Sequence, residues 1–194
     1  MNMNNLGNGA PFEMLIHAGE LDNLAGWSVE NRFRDVRGEL FGLWTDNGSA
    51  AVQLVLGPGR SDRREIVARY GLGYLGVWHS RGTWGTALPS SDDIDTARRI
   101  FETTLFSKLI ISRVTLATAE SENSPVSPLR FSGTKYRTII DIAAFLVERD
   151  RPNCRSVTGS CCPTSVRLPP PGESVSLIPH CGRCRTGECP VQTV

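Results

Sequence analysis

Gly73-Tyr-Leu-Gly-Val-Trp-His79-Ser80-Arg81-Gly-Thr-Trp-Gly-Thr-Ala-Leu-Pro89-Ser90-Ser91-Asp92-Asp93 is the stretch on which the reading of this 194-residue chain turns. Its first part is a short apolar run bounded by glycine, the pattern of a buried strand. The run ends in a histidine, crosses a glycine-rich loop, and reaches a serine and two carboxylates. Beyond them Ile94, Ala97, Phe101 and Leu105 share one helical face while Arg98, Arg99 and Glu102 take others, which predicts an amphipathic helix over about residues 92–106. Ser90-x-x-Asp93, directly before that helix, has the form of a capping box. Lys108-Leu-Ile-Ile-Ser-Arg-Val-Thr-Leu116 is β-branched and reads as the next strand.

Upstream, Glu39-Leu-Phe-Gly-Leu-Trp44 and Ala51-Val-Gln-Leu-Val-Leu56 are apolar runs bounded by Asp46-Asn-Gly48 and Gly57-Pro-Gly59. They predict an antiparallel hairpin. Residues 60–70 are polar with a brief apolar centre, which suits an exposed connection or a short helix. From Phe12 to Asn31 the pattern is weakly helical, with Leu15, Ile16, Leu21, Leu24 and Trp27 as buried positions. Downstream, a polar loop runs from Glu120 to Ser132, and Tyr136 to Glu148 carries Ile139, Ile140, Ala143 and Leu146 at helical spacing, which predicts a second helix. After Arg149 the composition shifts to arginine without lysine, many prolines, and all six cysteines. The resulting division is a disordered leader over 1–11, one domain over 12–149, and an unstructured tail over 150–194. Strands and helices mixed in this way indicate an α+β fold, an α/β sandwich.

Composition narrows the function. Lys+Arg number 21 against 20 Asp+Glu, a formal net charge of +1, so no global field favours nucleic acid or an anionic membrane. No apolar stretch approaches the ~20 residues of a membrane span, and the start lacks a signal peptide's pattern. A soluble, cytoplasmic protein is expected. Cysteine is absent before Cys154, so disulfides do not hold residues 12–149 together. In the tail, His180-Cys181-x-x-Cys184-x4-Cys189, with Cys161 and Cys162, has knuckle-like zinc spacing but almost no apolar residues for a small core.

A histidine at a strand end and a carboxylate at the following helix start are suitable zinc ligands. A hydrolytic zinc site leaves one position for water and needs a nearby carboxylate as general base. His79 and Asp93 are the candidate ligands, with a glutamate arriving from elsewhere.

These residues, in this order, resemble the JAB/MPN (JAMM) domain of metal-dependent isopeptidases and peptidases. That family carries Glu-x-x-Gly in an early strand, then His-x-His, about seven residues, and Ser-x-x-Asp. Here Glu39-Leu-Phe-Gly42, His79-Ser80-Arg81 and Ser90-Ser-Asp-Asp93 match in turn. The resemblance covers residues 12–118 and implies a curved mixed β-sheet flanked by helices, the cytidine deaminase-like architecture. It also implies Glu39 as general base, His79 and Asp93 as ligands of Zn2+, and Ser90 as oxyanion donor. The implied substrate is a protein, with cleavage of an amide bond next to a ubiquitin-like modifier.

Two departures bear on activity. Arg81 stands where the family has its second histidine, and a guanidinium has no lone pair to give a metal. Eight residues separate Arg81 from Ser90, one more than the pattern, so Asp92 is an alternative ligand to Asp93. Taken singly, each element also has a plain reading: Ser90-x-x-Asp93 as a helix cap, His79 as a hydrogen-bonded structural histidine, Glu39 as a solvated edge carboxylate. Trp78 and Trp84 read as core packing or as a substrate-facing wall. Two functions therefore stand: a zinc peptidase or isopeptidase, and a catalytically inactive MPN-type interaction module in which Arg81 pairs with Glu39 or Asp93.

Overall fold

The hairpin forms as the sequence predicts: β2 (Val36–Trp44) and β3 (Ala50–Leu56) pair antiparallel from Glu39↔Leu56 to Trp44↔Ala50. The computed structural model describes residues 13–46, 48–59, 63–81, 88–117, 129–133 and 138–162. Within them the order is β1 (Glu13–His17), α1 (Ala18–Glu30), β2, β3, α2 (Arg63–Tyr70), β4 (Gly73–Ser80), α3 (Ser91–Thr103), β5 (Lys108–Ala117), β6 (Leu129–Gly133), β7 (Thr138–Glu148) and β8 (Arg151–Cys162). The weakly helical start thus divides into a buried strand and a helix. The connection at 60–70 contains the short helix α2, which buries none of its residues.

The eight described strands form one mixed sheet in the order β5-β4-β2-β3-β1-β8-β7-β6, with β5 also pairing β7. That extra pairing curls seven strands into a closed ring. β7 pairs β5 from Lys108↔Glu148 to Ala117↔Ile139, and it pairs β6 near its start and β8 near its end. β1 is parallel to both β3 and β8, and β4 is parallel to β5 across α3.

Each face of the sheet has its own core. Leu21, Leu24, Ala25 and Val29 of α1 pack with Met14, Ile16, Val52, Trp78, Ile110, Ile140 and Ile142. Ala97, Ile100 and Phe101 of α3 pack on the other face, with Phe41, Tyr74, Leu109, Ile111, Phe145 and Val147. The architecture is therefore α+β, a curled mixed sheet with helices on both faces. No helix among the described residues is long and apolar enough to cross a membrane.

The last part of the loop expected from Glu120 to Ser132 is strand β6, and two larger sequence expectations are also corrected. Residues 138–148 form a strand, not a second helix: Ile140, Ile142, Ala144 and Leu146 face one core while Ala143, Phe145 and Val147 face the other. A strand buried on both faces has apolar residues at nearly every position, so a helical period can be picked out of it by chance. The boundary at 149/150 also fails, because Arg151–Cys162 is β8, inserted between β1 and β7. Arg151, Arg155 and Ser156 are exposed, and Val157 alone among its described side chains is fully buried, so backbone pairing rather than an apolar pattern recruits this strand. Residues 1–11, 82–87 and 163–194, with Trp84, His180, Cys181, Cys184 and Cys189, lie outside the described residues.

Helix α3 stops at Thr103, before its expected end. Thr104 is extended and its hydroxyl donates to the Ile100 carbonyl at 2.7 Å, so Leu105 leaves the apolar face and is fully exposed. The Arg149 guanidinium, at the end of β7, donates to the carbonyls of Thr104 and Phe106 and fixes this exit.

Candidate functional site

His79 is brought to the site by the pairing of three neighbouring strands. Arg37 of β2 and Arg113 of β5 are its register partners on either side, so Arg37, His79 and Arg113 form one row across the sheet. Opposed residues share a face, and Val77 and Ile111, the next row, belong to the core under α3. The N-terminus of α3 closes over the row and brings Asp93 down onto it. There Asp93 Oδ1 lies 2.7 Å from His79 Nδ1, and both side chains are almost completely buried.

Asp93 serves the helix and the cluster at once. Its Oδ2 accepts the Ser90 backbone N–H at 2.7 Å, the carboxylate half of the expected capping box, and the Ser90 hydroxyl at 2.7 Å. Arg113 donates to the same oxygen from 3.2 Å. Burial alone pushes the Asp93 carboxyl up, but the bonds from His79 and Ser90 and the Arg113 charge outweigh it and hold it well below the usual carboxylate range. Asp93 is ionised.

Arg113 is the residue the sequence reading passed over. Its side chain is 0% exposed, and its Nη1 lies 2.7 Å from His79 Nδ1 as well as 3.2 Å from Asp93 Oδ2. Nδ1 cannot donate to Asp93 and accept from Arg113 together. Nδ1 carries the proton and donates to Asp93, because an unprotonated Nδ1 would set its lone pair against an ionised oxygen 2.7 Å away, whereas Arg113 has Asp93 Oδ2 as its own acceptor. Arg113 is then anchored by Asp93 and stands beside the imidazole. Burial pulls the guanidinium's pKa down and Asp93 supports it, but guanidinium stays protonated in proteins. A charged residue inside the β-branched run Lys108–Leu116 was the available signal.

The other matched residues are also held by arginine. Glu39 is diagonal to His79 on the same face of the β2–β4 pair, since it opposes Val77. Diagonal neighbours of this kind lie about 7–8 Å apart. Its carboxylate receives the Arg63 Nε–H at 2.6 Å, and Arg63 in turn lies over the Tyr74 ring at 4.2 Å. The Ser90 hydroxyl gives its single proton to Asp93 and accepts from Arg81 at 3.1 Å. Arg81 also approaches Asp35 at 3.9 Å and Asp92 at 3.7 Å, and Arg37 approaches Asp92 at 3.9 Å. The pairing expected between Arg81 and Glu39 or Asp93 is replaced by these contacts. Asp92 is exposed and directed to arginines, so Asp93 is the carboxylate that meets His79.

The plain reading of Trp78 is the one observed. Its side chain is fully buried, stacks on Trp27 with ring centroids 6.1 Å apart, and donates to the Leu56 carbonyl at 2.8 Å. His17 ends β1, which lies beyond β2 and β3 from β4 in the sheet.

Among the described residues the donor set is short of what a catalytic zinc site uses. Both Asp93 oxygens are taken, Nδ1 of His79 is committed to one of them, and position 81 supplies a cation. His79 Nε2 is buried without a hydrogen-bond partner among the described residues, with Asp35 Oδ2 4.0 Å away. One nitrogen is short of the three protein ligands that a catalytic zinc site uses. Among the described residues no group of three or more His, Cys, Asp or Glu is arranged to hold a metal.

The sequence matches no protein-family model and no curated protein. By structure the chain is similar to protein DSY2949 from Desulfitobacterium hafniense, known from a solution structure, with a TM-score of 0.52 at 13% identity over 78% of this chain and 94% of that one. At that identity the likeness is one of fold alone.

Proposed function

We propose that this chain is a JAB/MPN-type module that acts by binding other proteins, with its hydrolytic centre silenced. One observation carries the reading: every described side chain matching that family's machinery is engaged by an arginine of the same chain. Arg63 pairs with Glu39, Arg113 pairs with Asp93 and stands beside His79, and Arg81 donates to Ser90. A carboxylate held by Arg63 at 2.6 Å is turned to a guanidinium rather than to a water, and a serine whose only proton is committed cannot donate to an oxyanion. The partners on this reading are proteins, a ubiquitin-like modifier among them, and not nucleic acid or membrane. A cytoplasmic setting belongs to the same proposal.

The runner-up reading is a zinc-dependent peptidase or isopeptidase, and it has an observation of its own. Glu39 and His79 share one face as diagonal neighbours, as such chemistry requires. Metal analysis of the purified full chain, with an isopeptide-linked fluorogenic substrate, separates the two. Substoichiometric zinc and no cleavage are expected, and Glu39→Ala should change neither. Stoichiometric zinc with cleavage abolished by Glu39→Ala would establish the peptidase and overturn the silent module.

A further inference from the structure

Arg81 is the visible departure from the metal-site pattern, but it lies at the rim, with its side chain 32% exposed. Arg113 lies at the floor with no exposure. Its guanidinium meets the two residues that a metal would bridge, at 2.7 Å from the imidazole nitrogen and 3.2 Å from the carboxylate oxygen. Their register fixes this, because Arg113 is the β5 partner of His79 in a parallel pair and the two side chains must project from the same face.

We infer that Arg113 is the resident cation of this site. It neutralises Asp93 where a metal ion would, ties β5 to the N-terminus of α3, and closes the site to metal whatever stands at position 81. This inference rests on the silent-module reading and explains how the site remains stable without metal. An ionised carboxylate buried beside an imidazole, with no cation, would carry an uncompensated desolvation cost. Arg113 offsets that cost with a permanent charge. A second cation placed a few ångströms from it in a partly buried site is repelled by like charge with little solvent to screen it. Arg81 therefore did not have to arise to exclude metal. Restoring histidine there leaves the guanidinium of Arg113 against Asp93.

The test uses cobalt(II) as a spectroscopic probe and zinc analysis, on full-length Arg81→His, Arg113→Gln and the double variant. Arg81→His alone should take up no stoichiometric metal and show no tetrahedral cobalt band. The double variant, with His79, Asp93 and a new imidazole unopposed, should gain both. Cobalt binding at stoichiometry by Arg81→His alone would overturn the inference while leaving the silent-module reading of the native chain intact. Zinc in the native protein would overturn both. If the double variant does not fold, the Arg81→His result still decides. Arg113→Lys then serves as the second variant, because it keeps the charge and should keep metal out; metal uptake by Arg113→Lys/Arg81→His would count against the resident-cation role.

Discussion

Asp93 collects hydrogen bonds from three directions: the His79 ring, the Ser90 backbone and hydroxyl, and the Arg113 guanidinium. Asp93→Asn would leave Arg113 buried against a neutral amide. Breaking one half of a buried pair costs about 3–5 kcal/mol, so chemical denaturation should show a loss of that size. The pH sign follows from the lowered carboxyl. Its folded-state pKa lies below the unfolded one, so its stabilisation is full above the ordinary carboxylate range and is lost as pH falls through the folded value. Native protein should therefore lose stability more steeply in acid than Asp93→Asn, and parallel pH profiles would show that Asp93 is not the titrating support. At this scale the sequence was partly legible. His79, Ser90, Asp93 and Glu39 were picked out by their order, and the first three meet. Arg113 was missed because a single arginine in a strand carries no spacing of its own, and only the β4–β5 register assigns it a neighbour.

Among the elements, β4 depends on a glycine at its crossing with β5. Gly76 has φ +151, and a Cβ there would overlap the Ile110 backbone. Gly76→Ala combines overpacking with strain at positive φ and should cost about 2–5 kcal/mol. Because Gly76 pairs Ile110 in the ladder that also seats His79 against Arg113, the Asp93 and His79 resonances should shift in the same variant. An unchanged unfolding midpoint with unchanged spectra would mean that the two strands can separate freely. Helix α3 shows how far an element can be read from its pattern. Its capping residues and its Ala97–Phe101 face were legible, but its last turn was not, since Thr104 and Arg149 end it through hydrogen bonds from side chains. The strand β7 could not be read correctly from period alone, because burial on both faces removes the alternation that identifies a strand.

For the whole molecule, ring closure makes β8 part of the domain. Ending the chain at Arg149 would delete β8 and leave unpaired edges on β1 and β7, which the full chain covers. Unpaired buried backbone groups are costly, and an open edge invites aggregation. That truncation should lose the cooperative thermal transition and dispersed amide spectrum of the full chain; a truncated chain melting like the full one would show that β8 is an accessory. The sequence by itself determined the β2–β3 hairpin, the strand–loop–helix–strand unit around His79, and the α+β class, because these rest on local periodicity, turn residues and caps that act within a few positions. The tertiary structure alone decided that β8 joins the core and that Arg113 faces His79 and Asp93. Both depend on backbone pairing between residues far apart in the chain, and such pairing leaves no period in the sequence. The cluster that first suggests a metal centre is thus occupied by a charge from a strand more than thirty residues away from His79.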